Sequence, residues 1–235
     1  MTPRTIVIGD LHGCHDEALD LFDRLAVAPG DRVIFTGDLV DRGPKRRECV
    51  ELAMRHECIL GNHEEKHLQQ IRRRDEDLIP DHLATRRVLF EEHYAYFRQL
   101  PLFIRLPEYG AAVVHAGAMP DVPIEKQDPY HLLHAQCLRP PERKSFWPSK
   151  APEGWRFWTN HWRGPERLIF GHSVLDRPLV TEFAVGIDTG GVHGLTLTAV
   201  VLPGWEIVSV PARRKYYGDK GIGTFPVHGE VRCFS

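Results

Sequence analysis

The chain opens with short apolar runs that alternate with segments of helical spacing. Thr5 to Ile8, Val33 to Phe35 and Ile59 to Leu60 are apolar without alternation, as expected for strands covered on both faces. Between them, apolar residues recur at helical spacing after Cys14 and again after Pro44, a residue that suits a first helical turn. The order strand, helix, strand, helix, strand is typical of a parallel α/β layer. The buried face of the first helix is predicted to carry Ala18, Leu19, Phe22, Leu25 and Ala26.

Each of these three strands ends in glycine followed by a side chain with an oxygen atom. Those side chains are Asp10, Asp38 and Asn62. A single loop of this kind is as readily a solvent-facing turn as a site, but the repetition favours a site. Because the carboxyl ends of parallel strands converge on one crevice, we expect the three side chains to meet.

Histidines add a second type of ligand at strand ends. His12 lies two residues after Asp10, so an extended loop would point both side chains the same way. His115 ends the apolar run AAVV, and His172 follows the run LIFG. A lone histidine at a strand end is more often a surface or core residue. Their recurrence beside carboxylates favours metal ligation instead, with the candidate set Asp10, His12, Asp38, Asn62, His115 and His172.

The mixture of oxygen and nitrogen ligands indicates the metal chemistry. Six ligands without a thiolate exceed what one tetrahedral ion needs and suit two divalent ions that share a carboxylate. Manganese is the expected metal, with iron, zinc or cobalt as alternatives. Two such ions against two carboxylates leave excess positive charge, which attracts phosphate and makes hydroxide available near neutral pH. The sequence therefore predicts hydrolysis of a phosphate ester.

Composition narrows the function class. With 235 residues the chain suits one domain, with or without an insertion, and its net charge of −2 counts against a nucleic-acid scaffold. No apolar run approaches membrane-spanning or signal-peptide length, so we expect no membrane role. The five cysteines form no CxxC pair, so we expect no disulfide framework and a cytoplasmic protein. A monomer is also expected.

The motifs resemble a known family. GDLHG (9–13), GDLVDRG (37–43) and GNHE (61–64) are similar to the three signature blocks of the phosphoprotein phosphatase group of calcineurin-like metallophosphoesterases. VVHAG, FGHS and GIDTGGVHG resemble its later blocks, so the likeness spans about residues 5–210. It implies an α/β fold of two mixed sheets packed face to face with helices outside, rather than one doubly wound sheet. The stretch GLTLTAVVLPGWEIVSVP, which is typical of antiparallel strands, agrees with this.

The resemblance also implies a role for each site residue. Asp10, His12 and Asp38 would hold the first ion, and Asp38 would bridge to a second ion. Asn62, His115 and His172 would complete the second site. Attack on phosphorus by hydroxide would be assisted by His63 as general acid, held charged by Asp41. Phosphate oxygens would be bound by Arg42, Asn62, His63 and Arg139.

Two substrate classes remain open on these residues. Leu60 stands where protein phosphatases of the group carry arginine, whereas Asp41 is missing from the symmetrical dinucleoside tetraphosphatases. A serine or threonine alkoxide leaves poorly and needs acid assistance, so Asp41 favours a serine/threonine phosphoprotein phosphatase. The alternative is a symmetrical bis(5'-nucleosyl)-tetraphosphatase. A phosphorylated protein or a dinucleoside polyphosphate would accordingly be the partner. A non-catalytic phosphate-binding module is disfavoured because no expected ligand is missing.

The remaining segments carry weaker signals. Residues 1–212 are predicted to form the metallophosphoesterase domain, with a helical insertion at about 64–99 that contains two helices, and residues 213–235 to form a tail without an assigned function. The expected second phosphate-binding arginine is replaced by Gln136, and Arg139 follows three residues later. Residues 140–165 hold four of the five tryptophans. These rings are expected either to pack within an ordinary loop or to form a rim that stacks on a base. These are Trp147, Trp155, Trp158 and Trp162.

Overall fold

A computed structural model describes residues 3–218, 227–228 and 230–231. The helices are α1 (His15–Leu25), α2 (Arg46–Ala53), α3 (Asn62–Gln69), α4 (Pro80–Arg86), α5 (Glu91–Gln99) and α6 (Pro129–His134). The strands are β1 (Thr5–Ile8), β2 (Arg32–Phe35), β3 (Glu57–Cys58), β4 (Phe103–Leu106), β5 (Ala111–Val114), β6 (Cys137–Leu138), β7 (Arg156–Phe157), β8 (Arg167–Phe170), β9 (Leu179–Val180), β10 (Ala184–Gly186), β11 (Thr196–Leu202), β12 (Glu206–Pro211), β13 (Val227–His228) and β14 (Glu230–Val231).

Two mixed five-stranded sheets form the centre of the fold. The first has the order β12-β11-β1-β2-β3, and the second has the order β4-β5-β8-β10-β9. In each sheet three neighbouring strands pair in parallel, and every pairing outside these three strands is antiparallel. The expected pair of mixed sheets is therefore confirmed, and so is the antiparallel pairing of β11 with β12.

Alternating side chains sort the core into three layers. On β1, Val7 packs between the sheets, whereas Ile6 and Ile8 face the helices on the outside. Val113 and Ile169 meet Val7 in the middle layer from the second sheet. The strands are consequently covered on both faces, which explains why their sequences are apolar without alternation.

The structure differs from the predicted elements in several places. On α1, Leu19 is 42% exposed and Leu21 is buried instead, because the helix packs along a stripe displaced from the predicted one. The third strand is formed by Glu57 and Cys58, just before the predicted pair. The backbone N–H of Ile59 still donates to the carbonyl of Phe35, but that of Leu60 donates to Pro101 outside the sheet. The insertion contains three helices, α3, α4 and α5, because Pro80 begins a helix of its own.

Some tryptophans and cysteines lie as the sequence predicts, and others do not. Trp158 and Trp162 lie fully buried, and Trp147 is 57% exposed. Three cysteines are buried free thiols, as expected, at Cys14, Cys49 and Cys58. Cys137 is disulfide-bonded, so the expectation of reduced cysteines fails at that residue. No helix in the described ranges is long and apolar enough to cross a membrane.

Candidate active site

The site lies where loops from both sheets meet at the carboxyl ends of the strands. The loops after β1, β2 and β3 carry Asp10, Asp38 and Asn62, and the loops after β5 and β8 carry His115 and His172. The Oδ2 atom of Asp10 accepts a hydrogen bond from the backbone N–H of His172 at 2.8 Å, across 162 positions of sequence. The six side chains predicted as metal ligands are therefore brought together.

Asp38 is the centre of this cluster. One of its carboxylate oxygens lies 3.4 Å from Nε2 of His12, and the other lies 3.4 Å from Nε2 of His115. Two groups of potential metal ligands, each within 4.8 Å, share this aspartate. One group adds His12 and His63, and the other adds His115 and His172. Asp38 is thus positioned to bridge two cations.

Backbone carbonyls orient two of the imidazoles. Nδ1 of His12 lies 2.8 Å from the carbonyl oxygen of Val40, and Nδ1 of His115 lies 2.8 Å from that of Thr36. A carbonyl can only accept, so Nδ1 carries the proton and Nε2 presents its lone pair towards Asp38. Burial lowers the pKa of both histidines, which keeps the rings neutral. A neutral imidazole fixed in this way is a metal ligand with its outer hydrogen bond already made.

The arrangement around Asn62 indicates a cation. Its Oδ1 atom lies 2.9 Å from Nε2 of His115 and 2.8 Å from Nδ1 of His172. Nε2 of His115 has a lone pair, so it meets an acceptor oxygen without a proton between them. Burial lowers the pKa of His172 well below its usual value, and its ring is neutral as well. The facing lone pairs of Asn62 Oδ1 and His115 Nε2 repel one another unless a positive ion binds both, whereas a neutral His172 can donate from Nδ1 to the same oxygen. The donor set fits a divalent ion.

Asp10 lies beside these two ligand groups without belonging to either, and a third acid, Asp188, lies close to it. Oδ1 of Asp10 accepts a hydrogen bond from the Thr36 hydroxyl at 2.9 Å. Burial and the charges of Asp188 and Asp38 raise the pKa of Asp10, and a bound cation is what would favour its ionised form. Asp188 is itself 5% exposed, and burial raises its pKa to about 6. Sequence reasoning gave Asp188 no role, although it lies in the block GIDTGG.

His63 and Asp41 form the expected acid pair. Nδ1 of His63 donates to Oδ2 of Asp41 at 2.6 Å. Burial lowers the pKa of His63, but the Asp38 charge and the Asp41 hydrogen bond outweigh it, so the pKa lies above its usual value. Asp41 is fully buried and is held by two further donors, His67 at 2.8 Å and the Thr85 hydroxyl at 2.5 Å. The structure therefore fixes the imidazole with Nε2 turned to the ligand cluster.

Arg42 lies at the edge of the same cluster. Its Nη2 atom is 3.2 Å from Nε2 of His63, and its Nη1 atom is 2.7 Å from Nε2 of His12. The backbone N–H of Arg42 donates to the Asp81 carboxylate at 3.0 Å, which fixes the base of the side chain. When His63 is protonated, both groups are donors that face one another, so an anion between them would satisfy both.

Glu64 holds the loop that carries these residues. It is fully buried, and its carboxylate accepts hydrogen bonds from the backbone N–H groups of Asp38 and Leu39, each at 2.8 Å. Longer bonds come from Val40 and from Gly61. Burial and the Asp38 charge raise the pKa of Glu64 to about 7, against these backbone donors. Sequence reasoning quoted GNHE without giving its glutamate a role.

A cavity of about 210 Å³ adjoins the cluster and shares Asn62 and His172 with it. Gln136 lines this cavity. Its side chain is buried, and within the described part of the chain its Nε2 atom has no hydrogen-bond partner. Arg139 does not line the cavity. Its guanidinium pairs with Glu142 at 2.5 Å and lies 5.6 Å from the ring of Trp155. Of the two candidates for the second phosphate contact, only Gln136 is at the site.

Comparison with known proteins connects this geometry to a family. The model for calcineurin-like phosphoesterases matches residues 3–179. A bis(5'-nucleosyl)-tetraphosphatase PrpE [asymmetrical] from Halalkalibacterium halodurans is 29% identical over 91% of this chain and 96% of the relative. The protein of the same name from Bacillus mycoides is 27% identical, with the same coverage.

Solved structures agree. A crystal structure provisionally named a diadenosine tetraphosphatase has a TM-score of 0.79 and 30% identity, and covers 90% of this chain and 95% of its own. A serine/threonine phosphatase from Saccharomyces cerevisiae, with a TM-score of 0.57, 18% identity and coverage of 92% and 82%, shares the fold. With the family model matching most of the length, the chain belongs to the calcineurin-like phosphoesterases and is a phosphoric ester hydrolase.

Proposed function

We propose that this protein hydrolyses dinucleoside tetraphosphates asymmetrically, to a nucleoside monophosphate and a nucleoside triphosphate. The names of its relatives support this substrate and this direction of cleavage. The proposal differs from both sequence-based alternatives, the phosphoprotein phosphatase and the symmetrical tetraphosphatase. Manganese as the metal stays part of the proposal, as do the monomeric state and the cytoplasmic location.

The observation that carries the proposal is the aromatic cavity beside the ligand cluster. Trp147 is 57% exposed and Tyr130 is 45% exposed, and both line the cavity. The Trp147 ring lies 6.2 Å from the ring of His172. Large exposed aromatic rings around a concave site are suited to stacking on a nucleobase. Gln136 offers a buried amide donor to a ribose or phosphate oxygen in the same cavity.

The position of the cavity supports asymmetrical cleavage. Asn62 and His172 belong both to the cavity lining and to the ligand cluster. A nucleoside bound in the cavity would therefore lie close to that cluster. The phosphorus nearest to that nucleoside would then lie over the cations. Symmetrical cleavage attacks the second phosphorus and would need the base to bind one phosphate farther away.

The chemistry follows from the named side chains. Two divalent cations, when bound, would supply Lewis acidity and lower the pKa of a water molecule. The water oxygen bonds to the phosphorus next to the retained nucleoside, and the bond from that phosphorus to the bridging oxygen breaks. The electron pair departs on the nucleoside triphosphate, to which His63 can deliver a proton. Arg42 binds the phosphate oxygens, and Asp41 orients His63.

A second activity, on phosphomonoesters, is supported by the His63–Asp41 pair. An alkoxide leaving group needs a proton more than a nucleoside triphosphate does. His63, oriented by the fully buried carboxylate of Asp41, therefore gives more acid assistance than cleavage of the tetraphosphate needs. The ratio of kcat/KM on a phosphoserine peptide to kcat/KM on the tetraphosphate measures this second activity.

The test is a product analysis with manganese-loaded protein and diadenosine tetraphosphate in ¹⁸O-labelled water. We expect AMP and ATP in equal amounts, with the label in AMP. Two ADP molecules would overturn the asymmetrical assignment, and a kcat/KM higher on a phosphoserine peptide would overturn the substrate class.

Variants test the aromatic cavity. Trp147→Ala should raise KM for the tetraphosphate about tenfold, the scale of one lost base stack. Phe90→Ala removes an aromatic ring that is 53% exposed and lies outside the cavity lining, so it is the matched control. Equal KM values for the two variants would remove the cavity from the proposal.

A further inference from the structure

The segment after β12 is fixed to the body of the protein at both ends. The backbone N–H of Ala212 donates to the carbonyl of Leu195 at 2.8 Å, and that of Arg213 donates to the Glu17 carboxylate at 3.0 Å. Farther along, the backbone N–H of Tyr216 donates to the carbonyl of Val192 at 3.0 Å. This stretch was expected to begin a tail without a function. The structure gives residues 212–216 a defined position, and we call this segment the strap.

The two residues between these anchors, Arg214 and Lys215, are cationic. Arg213 forms an ion pair with Asp20, in which its Nη2 atom lies 2.7 Å from a carboxylate oxygen. Within the described residues, the side chains of Arg214 and Lys215 make no ion pair or hydrogen bond, and both residues are exposed. The Arg214 guanidinium lies 5.0 Å from the Tyr216 ring, which supports its orientation.

These two cations share a cavity with Arg42. The cavity has a volume of about 390 Å³ and is lined by Arg42, Gly43, Pro44, Arg46, Arg214, Lys215 and Tyr216. Arg46 forms an ion pair with Asp81, in which its Nη2 atom lies 2.5 Å from a carboxylate oxygen. The Tyr216 hydroxyl donates to Glu17, whose carboxylate also binds the Arg213 backbone. Oε1 of Glu17 therefore accepts from two neutral donors, and its Oε2 atom has no hydrogen-bond partner within the described residues. Three of the cations that line the cavity, Arg42, Arg214 and Lys215, have no carboxylate partner in the part of the chain that the structure describes.

Arg42 connects this cavity to the catalytic cluster. Its guanidinium contacts His12 and His63, as described above, and the same side chain lines the cavity. The aromatic cavity adjoins the cluster at Asn62 and His172, and it has no lining residue in common with the cationic cavity. A chain of phosphates that enters from the aromatic cavity and crosses the cations would reach Arg42 first and then Arg214 and Lys215.

We propose that Arg214 and Lys215 form a binding site for the phosphates of the leaving group, beyond the bond that is cleaved. This inference rests on the proposed function. A nucleoside triphosphate leaves with several negative charges, which three cations in one cavity are suited to bind. A phosphomonoester has no phosphate to place there. Binding the long side of the substrate in this cavity would also hold the short side over the metal ions and so favour asymmetrical cleavage.

The experiment compares Arg214→Ala/Lys215→Ala with the wild-type enzyme on two substrates. We expect kcat/KM for diadenosine tetraphosphate to fall about tenfold relative to that for p-nitrophenyl phosphate, mainly through KM, since exposed cations add modest binding each. The inhibition constant of tripolyphosphate should rise by a similar factor. Salt should raise the wild-type KM for the tetraphosphate and affect the variant less, because screening acts on the removed charges.

Arg72→Ala/Arg73→Ala is the control, since it removes two exposed cations that do not line this cavity. An unchanged substrate ratio and an unchanged tripolyphosphate inhibition constant in the strap variant would overturn the inference while wild-type tetraphosphate cleavage continues. Failure of the wild-type enzyme to cleave the tetraphosphate would instead overturn the proposed function. Equal losses in the strap and control variants would assign the effect to net charge and also overturn the inference.

Discussion

Five site residues have a backbone conformation that residues other than glycine seldom adopt. Their φ angles are positive and lie between 44° and 66°, in the left-handed region. Such strain is retained where surrounding contacts enforce it, and here Glu64 and Asp81 bind the backbone of the loop concerned. Glycine would relieve the strain but would remove the reacting side chain. The residues are His12, Asp38, Asp41, Arg42 and His172.

The role of His63 can be tested through the leaving group. His63→Asn should lower kcat about 100-fold or more on a phosphoserine peptide and less than tenfold on p-nitrophenyl phosphate, whose anion leaves without a proton. Steady-state rates on the two substrates measure the difference. Equal losses would contradict proton donation by His63. The change leaves the six predicted metal ligands in place but removes His63 from one group of potential ligands, so metal content is measured beside the rates and must match that of the wild-type enzyme.

The role of a residue could be predicted from sequence where its own side chain and its place after a strand indicate that role. All six predicted ligands lie in loops that follow apolar runs, and the convergence of strand ends brings these loops together. Glu64 could not be assigned this way, because its partners are backbone N–H groups and a motif shows only side chains. The choice between Gln136 and Arg139 depended on which one the loop turns towards the site. Sequence spacing does not specify that direction.

At the scale of elements, the first turn of α3 connects the parts of the site. Asn62, His63 and Glu64 are its first three residues, and Glu64 binds the loop after β2. The proposed cation ligand Asn62, the proposed proton donor His63 and the anchor of the loop, Glu64, therefore share one rigid turn. Apolar periodicity located the strands well, yet it placed Leu19 of α1 inside, because periodicity gives an apolar stripe without saying where it meets the sheet.

Glu64→Gln tests the anchor. The amide group would turn a donor towards backbone N–H groups and leave at least one of them without a partner, so the free energy of unfolding should fall by about 1–3 kcal/mol. Metal affinity should fall with it, because Asp38 lies on the anchored loop. Urea unfolding and metal titration measure both. Glu91→Gln, at an exposed position, is the control, and equal stability of the two variants would refute the anchor.

The connection between α1 and β2 gives a prediction on pH. Hydrogen bonds from Arg4 lower the pKa of Asp31, whose carboxylate also accepts from the Ala28 N–H at 2.9 Å. Since the folded pKa lies below the unfolded value of about 3.9, the carboxylate stabilises the fold above that pH. This contribution is lost as pH falls towards the folded pKa.

Asp31→Asn should therefore cost about 1–2 kcal/mol of unfolding free energy at pH 7, and this difference should narrow towards pH 3. Urea denaturation at both pH values measures it. A difference that stays constant with pH would contradict an ionic origin. Asp23→Asn, at an exposed position of α1, should change little.

At the scale of the whole molecule, the ligand cluster spans both sheets. Asp10, Asp38 and Asn62 follow strands of the first sheet, whereas His115 and His172 follow strands of the second. Cations bound by both sets would connect the two halves of the core. The sheet topology came from the family resemblance, since local patterns show strands but not which sheet each one joins.

Removal of the metal should accordingly lower thermal stability as well as activity. We expect chelation to lower Tm by several degrees, because a ligand that binds only the folded state stabilises it in proportion to its saturation. Calorimetry with and without manganese measures the shift. His172→Ala should reduce the metal-dependent part of the shift, and an unchanged shift in that variant would contradict the role of His172.

A metal centre that spans two sheets would make the supply of its ion a control on protein abundance. Cells starved of the ion would hold a looser polypeptide, and quality-control proteases degrade such chains in proportion to their unfolded fraction. Scarcity would therefore deplete the enzyme itself, and restoring the ion would recover activity only as fast as new chains are translated. Pulse-chase half-lives in ion-depleted and ion-replete cultures would reveal this delay.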